Sequence, residues 1–325
     1  MKVLNLGSLN IDNVYHVDEF PAPGETKLAA GLSLFCGGKG LNQSVAASRA
    51  GAEVRHAGLV GEDGGMLLEK LRENGVDTDL IFPVPGRCGH AVIQVNAKGQ
   101  NCILLYGGAN RRLTETAVDG IFDGFGEEGC VLLQNEINLL PYIIQKAVGR
   151  GLPVFFNAAP MDAGVLEYPI GGLAWLIVNE VEGRSLAGCA DDGDILPALA
   201  GKYPALNVLL TLGCRGAVCR TPEKTVAVDA LPVPVTDTTA AGDTFTGYFL
   251  HGVTAGMALE TVLVRAATAA AICVSREGAA DSIPLGSEVG EAVRLKTLGE
   301  LHIKCRTGGS AAGLLPPARG RKEKI

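Results

Sequence analysis

Short apolar runs rich in Val, Ile and Leu recur at residues 2–6, 56–60, 131–134, 154–157, 175–179 and 208–212. Continuous apolar runs of this length predict strands buried on both faces. Between and after them, residues 43–50, 65–74, 139–148, 196–203 and 259–275 space their apolar side chains at helical intervals. Strands alternating with helices predict an α/β protein, a mostly parallel sheet with crossover helices on both sides in three layers. Ligands of such sheets lie beyond the carboxyl ends of the strands, so the loops that follow strands are where chemistry is expected.

Two stretches interrupt the alternation. Residues 10–35 and 88–108 carry no helical spacing, and the second reads as a hairpin, with 90–95 and 101–106 joined by a Gly-containing turn. Together they predict a small β-sheet standing over one edge of the main one. From residue 303 the character changes again: Thr307-Gly308-Gly309-Ser310 and Pro316-Pro317 precede Arg319, Arg321, Lys322 and Lys324. Residues 1–302 are therefore expected to form one domain, and 303–325 a flexible basic tail without function.

Composition narrows the class. The 325 residues include 28 Lys plus Arg against 35 Asp plus Glu, and this acidic balance argues against a nucleic acid as partner. No apolar run reaches the roughly 18–20 residues of a membrane span, and the chain opens directly on a strand-like segment, so a cytoplasmic protein with no membrane partner is expected. Nine cysteines are scattered without a Cys-x-x-Cys pair, which predicts reduced thiols and no zinc site.

A Gly-x-Gly-x-x-Gly occurs at 124–129, but it precedes a strand and carries two glutamates, so it predicts a turn and no dinucleotide site. The sharper segment is Thr236-Asp237-Thr238-Thr239-Ala240-Ala241-Gly242-Asp243-Thr244-Phe245. Small residues turn there into a helix starting near Thr244. The amides of Ala241, Gly242 and Asp243 are candidates for an anion hole, with the Asp243 carboxylate beside it as a candidate general base. Asp at this position also serves as an ordinary helix N-cap. At the other end of the chain, Asn10 and Asp12 follow the first strand, Gly38, Lys39 and Asn42 precede a helix, and Glu136 follows the strand ending near residue 135. Asn, Asp and Glu side chains suit a polyhydroxylated ligand, although each of these is also a common turn or cap residue.

Taken in order, Asn10-x-Asp12, Pro23-Gly24-Glu25-Thr26, Gly37-Gly38-Lys39-Gly40-x-Asn42-Gln43, Gly108-Ala109-Asn110, Asn179-x-x-Glu182, Thr211-Leu212-Gly213-x-Arg215-Gly216 and Ala240-Ala241-Gly242-Asp243-Thr244 resemble the ribokinase (PfkB-type sugar kinase) family over residues 2–298. That resemblance implies an ATP-dependent kinase that phosphorylates the primary hydroxyl of D-ribose. A kinase of 2-deoxyribose, another small sugar or a nucleoside is the alternative, and a non-catalytic sugar-binding regulator the more distant one. It implies Asp243 as the base, the amides of Ala240, Ala241, Gly242 and Asp243 as the anion hole for the transferring phosphoryl group, and Asn10, Asp12, Gly38, Lys39, Asn42 and Glu136 as sugar ligands. Asn179 and Glu182 would organise Mg²⁺ and phosphates, while Thr211, Gly213, Gly216, Gly242 and Ala267 would lie along ATP. A K⁺ activator would sit among Asp237, Thr239, Cys273, Arg276, Gly278 and Ser282. The two β excursions would form a lid over the sugar and the interface of a homodimer, with Ala91, Ile93 and Leu105 against the sugar carbons. Three positions depart from the family pattern: His90, Tyr106-Gly107-Gly108 and Asn157-Ala158-Ala159-Pro160.

Overall fold

The computed structural model describes residues 1–299 and 301–307. Its strands are β1 (Lys2–Leu6), β2 (Asn10–His16), β3 (Gly31–Gly37), β4 (Glu53–Val60), β5 (Asp77–Pro83), β6 (Gly89–Val95), β7 (Asn101–Tyr106), β8 (Cys130–Gln134), β9 (Val154–Asn157), β10 (Trp175–Val178), β11 (Asn207–Thr211), β12 (Ala217–Arg220), β13 (Lys224–Val228) and β14 (Ile303–Thr307). Its helices are α1 (Lys39–Ala50), α2 (Gly65–Glu73), α3 (Glu115–Phe125), α4 (Leu140–Gly149), α5 (Glu180–Ala187), α6 (Asp192–Lys202), α7 (Ala241–Thr254), α8 (Leu259–Val274) and α9 (Gly286–Leu295).

The main sheet runs β14-β13-β12-β11-β10-β9-β8-β1-β4-β5. It is parallel from β11 to β5 and antiparallel from β11 to β14. The core shows why the doubly apolar strands fold this way. Val131, Leu133, Phe156, Val208 and Leu210 pack with α3–α6 on one face. Leu132, Phe155 and Leu209, their neighbours in sequence, pack with α1, α2, α7, α8 and α9 on the other. Alternate side chains of one strand thus serve two hydrophobic layers, which is the three-layer α/β/α architecture.

The second sheet, β3-β2-β6-β7, is built from the two excursions predicted to lack helix, and β6 and β7 form the predicted hairpin. Cross-strand register puts Asp12, Ala91 and Leu105 in one row and Asn13, Leu34, Val92 and Leu104 in the next, on the opposite face. The departure residues His90 and Tyr106 are themselves a cross-strand pair, with ring centroids 5.0 Å apart. The Gly124–Gly129 segment is the predicted turn, closing α3 and leading into β8.

Some boundaries differ. Helix α1 begins at Lys39, not residue 43, and α7 begins at Ala241 with Ala240 as N-cap, not at Thr244. The predicted tail is corrected at its start. Residues 303–307 pair with all of β13 and extend the main sheet, because Ile303, Lys304, Cys305 and Arg306 alternate apolar and basic side chains as an edge strand does. The remainder of that segment, residues 308–325, lies outside the described residues.

Candidate active site

The site forms where the carboxyl ends of β1 and β8 meet the starts of α1 and α7. After β1 the chain turns through Ser8 into β2, and after β8 it reaches Glu136. The Glu136 carboxylate accepts hydrogen bonds from the Ser8 hydroxyl and, at 3.0 Å, from the Lys39 amide, tying three segments to one point. Ser8 also accepts from the Gly40 amide at 3.1 Å. This close approach requires glycine, since a Cβ on Gly40 would stand 2.3 Å from the Ser8 nitrogen. Gly38 is the N-cap of α1.

Helices α1 and α7 then lie directly on each other. Gly247 permits it, because a Cβ there would come within 2.4 Å of the Ala46 Cβ. The packing brings Asn42 and Gln43 of α1 against Asp243 in the first turn of α7. Asn42 Nδ2 donates to one Asp243 carboxylate oxygen at 3.0 Å, and Gln43 Nε2 donates to the other at 2.9 Å. Asp243 is buried, yet each of its oxygens keeps a second lone pair.

Charges of both signs gather here. Lys39 is raised above the ordinary ammonium range chiefly by the negative charge of Asp243, against the opposing effect of burial, with Glu136 and Glu182 adding to it. Asp12 is pushed up from 3.8 to about 7 by burial first, then by the charges of Glu136 and Asp243. Asn10 is buried, and its side-chain oxygen accepts from Asn110 Nδ2 at 2.7 Å. Asn42 Oδ1 is buried without a protein partner, an acceptor left available to a hydroxyl.

On the far side of Asp243 opens a pocket of about 540 Å³. Of the residues expected along ATP, Asn179, Thr211, Gly213, Gly216, Gly242 and Ala267 line it. Glu182 is not in the lining. It completes a capping box on α5, accepting from the Asn179 amide at 2.8 Å and from Asn179 Nδ2 at 2.9 Å, while Asn179 Oδ1 accepts from the Val181 and Glu182 amides. Burial raises the Glu182 carboxyl above its ordinary range. The pocket floor is the start of α7. The Ala241 amide is engaged by the Thr238 carbonyl at 3.3 Å, whereas the amides of Gly242 and Asp243 have no acceptor within the helix. A Cβ on Gly242 would project into open space, so the helix start is an uncovered cradle for an anion. Ala240, at φ 60° and ψ 6°, holds a left-handed backbone that aims this turn.

The expected cation residues are also brought together. Asp237 accepts from the Thr239 amide at 2.9 Å, the Thr239 hydroxyl at 2.7 Å and the Gly278 amide at 3.2 Å. Cys273 Sγ lies 3.1 Å from Ser282 Oγ, and the Arg276 amide donates to the Cys273 carbonyl at 3.1 Å. Among the described residues no group of three His, Cys, Asp or Glu is placed to hold a metal ion, and all nine cysteines are free.

Sequence reasoning missed three features. Gln43 stood inside a quoted motif but was not assigned to the site, and Ser8 was likewise passed over. The apolar wall Leu231, Pro232, Val233 and Val235 was not anticipated, although an apolar run that pairs into no strand is a signal of a lining segment.

A buried carboxylate fixed beside an uncovered helix start, at the edge of a pocket with an apolar wall, is an arrangement suited to phosphoryl transfer on a three-layer α/β fold. Residues 1–285 match the family described as pfkB family carbohydrate kinase, and the chain belongs to that family: it is a carbohydrate kinase. It is 34% identical over 293 residues to ribokinase from Haemophilus influenzae, covering 87% of this chain and 95% of that one. It is 30% identical over 304 residues to deoxyribokinase from Salmonella typhi, covering 91% and 99% respectively. The solved structure of Arabidopsis thaliana ribokinase complexed with ribose and ATP superposes with a TM-score of 0.80 at 30% identity, covering 90% of this chain and 98% of that chain.

Proposed function

We propose that the protein transfers the γ-phosphoryl group of ATP to the primary hydroxyl of D-ribose, giving D-ribose 5-phosphate and ADP. The observation that carries this reading is the position of Asp243, whose carboxylate is fixed by Asn42 and Gln43 at the same helix start whose amides form the cradle. The similarity to a ribokinase solved with ribose and ATP supports the choice of substrates.

In this reading Asn10, Asp12, Gly38, Lys39, Asn42 and Glu136 hold the sugar, and its primary hydroxyl faces Asp243. The hydroxyl oxygen attacks the γ-phosphorus, the bond from that phosphorus to the bridging oxygen breaks, and ADP leaves. The hydroxyl proton passes to Asp243, whose spare lone pairs suit it as acceptor. The amides of Gly242 and Asp243, with Ala240 and Ala241 shaping the turn, meet the charge spread over the transferring phosphoryl oxygens. Lys39 adds a positive charge on the sugar side. Thr211, Gly213, Gly216 and Ala267 hold the nucleotide, against the apolar wall.

The donor chemistry fits Mg²⁺ carried in with the nucleotide, because Mg²⁺ keeps several waters and uses few protein carboxylates. It would supply charge neutralisation on the phosphates, with Asn179 and Glu182 organising its water shell. K⁺ would be held by carbonyls of the loops that carry Asp237, Thr239, Cys273, Arg276, Gly278 and Ser282, with the Asp237 bonds bracing those loops. Ala91, Ile93 and Leu105 lie on the lid face that carries Asp12 and would contact the sugar carbons. The exposed Leu32, Leu34 and Leu104 on the opposite face support a homodimer formed through the lid. No described helix is long and apolar enough to cross a membrane.

The test is ADP release in a coupled assay with Mg·ATP, K⁺ and a panel of pentoses, hexoses and nucleosides. Highest kcat/KM on D-ribose is expected. Highest kcat/KM on 2-deoxyribose or another acceptor would overturn the substrate and keep the mechanism. Sugar binding without turnover on any acceptor would overturn both.

A further inference from the structure

Behind Asp243, away from the pocket at the start of α7, a line of polar side chains runs through the core. Gln43 Oε1 accepts from Gln134 Nε2 at 2.8 Å, and the same Nε2 donates to Asn5 Oδ1 at 3.0 Å. Asn5 Nδ2 donates to the Gly40 carbonyl at 2.8 Å and to Ser44 Oγ at 2.7 Å. Ser44 Oγ lies 2.8 Å from His56 Nδ1, and His56 Nε2 lies 3.3 Å from the Gly7 carbonyl. Asn5, Gln43, Ser44, His56 and Gln134 are all at 0% exposure.

Every orientation in this line is forced. The Gly40 carbonyl can only accept, so Asn5 must turn its NH₂ toward it and its oxygen toward Gln134. Gln134 must then present NH₂ to both Asn5 and Gln43, and Gln43 is left with its NH₂ facing Asp243. The Gly7 carbonyl can only accept, so His56 carries its hydrogen on Nε2. Burial lowers His56 from 6.5 to about 4 and keeps the ring neutral, so Nδ1 accepts the Ser44 proton. Gln134 Oε1 is buried with no partner, a destabilising feature that an apolar residue of the same length would remove.

We propose that Gln43, Gln134, Asn5, Ser44 and His56 form a buried positioning chain for the reaction, in which Gln43 is the positioning residue that holds the Asp243 carboxylate in its proton-accepting orientation. Gln43 does not touch substrate and acts through Asp243. The chain runs in one direction from β1, β4 and β8 in the main sheet to α1 and then α7, so the strands set the orientation of the base. This inference rests on the kinase reading above and deepens it.

The test is a double-mutant cycle of Gln43→Met and Gln134→Met, since Met matches the length of Gln and lacks the amide. Wild-type turnover on the best acceptor of the panel is measured first. Its absence would refute the kinase reading itself, while its presence isolates the present question. Thermal unfolding of each variant accompanies the kinetics. Gln43→Met is expected to lower kcat about tenfold or more, with KM for sugar and for ATP within about twofold. Gln134→Met is expected to lower kcat by roughly threefold or more, because Gln43 is then free to turn its amide over. The double variant should have the kcat of Gln43→Met alone, because both changes act through one contact. Wild-type kcat in Gln43→Met, or losses that multiply in the double variant, would overturn the proposal. If Gln43→Met does not fold, Gln134→Met decides: an unchanged kcat there would overturn it equally.

Discussion

Asp12 offers a prediction in which stability and function move in opposite directions. Its carboxyl is raised from 3.8 to about 7, mainly by burial and then by Glu136 and Asp243. Between those two values the folded chain holds a proton that the unfolded chain has released. Raising pH through this window therefore destabilises the unliganded protein, and its Asp12 contribution is fully present only below about pH 4. At about 1.4 kcal/mol per pH unit, the gap sets a ceiling of roughly 4 kcal/mol. Relaxation and water entry bring the expected value to about 2 kcal/mol. Asp12→Asn removes the titration. Measured by urea unfolding, the variant should exceed wild type by about 2 kcal/mol at pH 8 and match it near pH 4. Its sugar affinity should fall at the same time, since a charged acceptor is lost. A variant less stable than wild type at pH 8, or a difference that does not change with pH, would refute the reasoning.

Other substitutions probe the same framework. Gly40→Ala would place a Cβ 2.3 Å from the Ser8 nitrogen and 2.6 Å from the Ser8 carbonyl oxygen, both backbone atoms. Urea unfolding should show a loss of about 2–3 kcal/mol, with sugar KM raised because the Ser8–Glu136 junction moves. His56, lowered from 6.5 to about 4 by burial, refuses a proton that the unfolded chain accepts. Stability from His56 is thus complete above about pH 6.5 and is lost as pH falls toward 4, by up to about 3 kcal/mol. Because Asp12 slopes the opposite way across the same window, the effect is read as a difference: the stability advantage of wild type over His56→Gln should shrink by up to about 3 kcal/mol as pH falls from 6.5 to 4, and a difference that does not change with pH would refute it.

Much of this fold is written in local patterns that burial makes unambiguous. Strands such as β8 and β11 carry unbroken apolar runs, Cys130–Leu133 and Val208–Leu210, because α-helical layers cover both faces. The lid hairpin announced itself by its turn. Antiparallel β12 and β13 and edge strand β14 were not legible, because their pairing is decided by neighbours in the sheet. Ile303 to Arg306 looked like a basic tail for that reason. Helices α3, α5 and α9 went unread, although α3 and α9 space their apolar residues at helical intervals at least as clearly as the helices that were read.

The site divides along the same line. Asp243, Asn42 and Lys39 sit beside glycine-marked turns, and Glu136 in the loop after β8, at strand and helix ends where a sequence shows its chemistry. Gln43 looks like a solvated residue on a helix and proves fully buried. Only the contact between α1 and α7 reveals it as a partner of the base. Ser8 is hidden in the same way, since its role comes from Glu136, 128 residues further along the chain.

The central claim is that Asp243 takes the proton from the acceptor hydroxyl. Asp243→Asn keeps the size of the side chain but places an NH₂ against the two amide donors of Asn42 and Gln43, so one of those bonds is lost, at about 1–2 kcal/mol of stability. The decisive measurement is kcat for this variant beside calorimetric binding of sugar and of nucleotide. The account predicts a fall in kcat of about 10² or more, with both ligands still bound. Turnover within a few-fold of wild type, with binding intact, would contradict it.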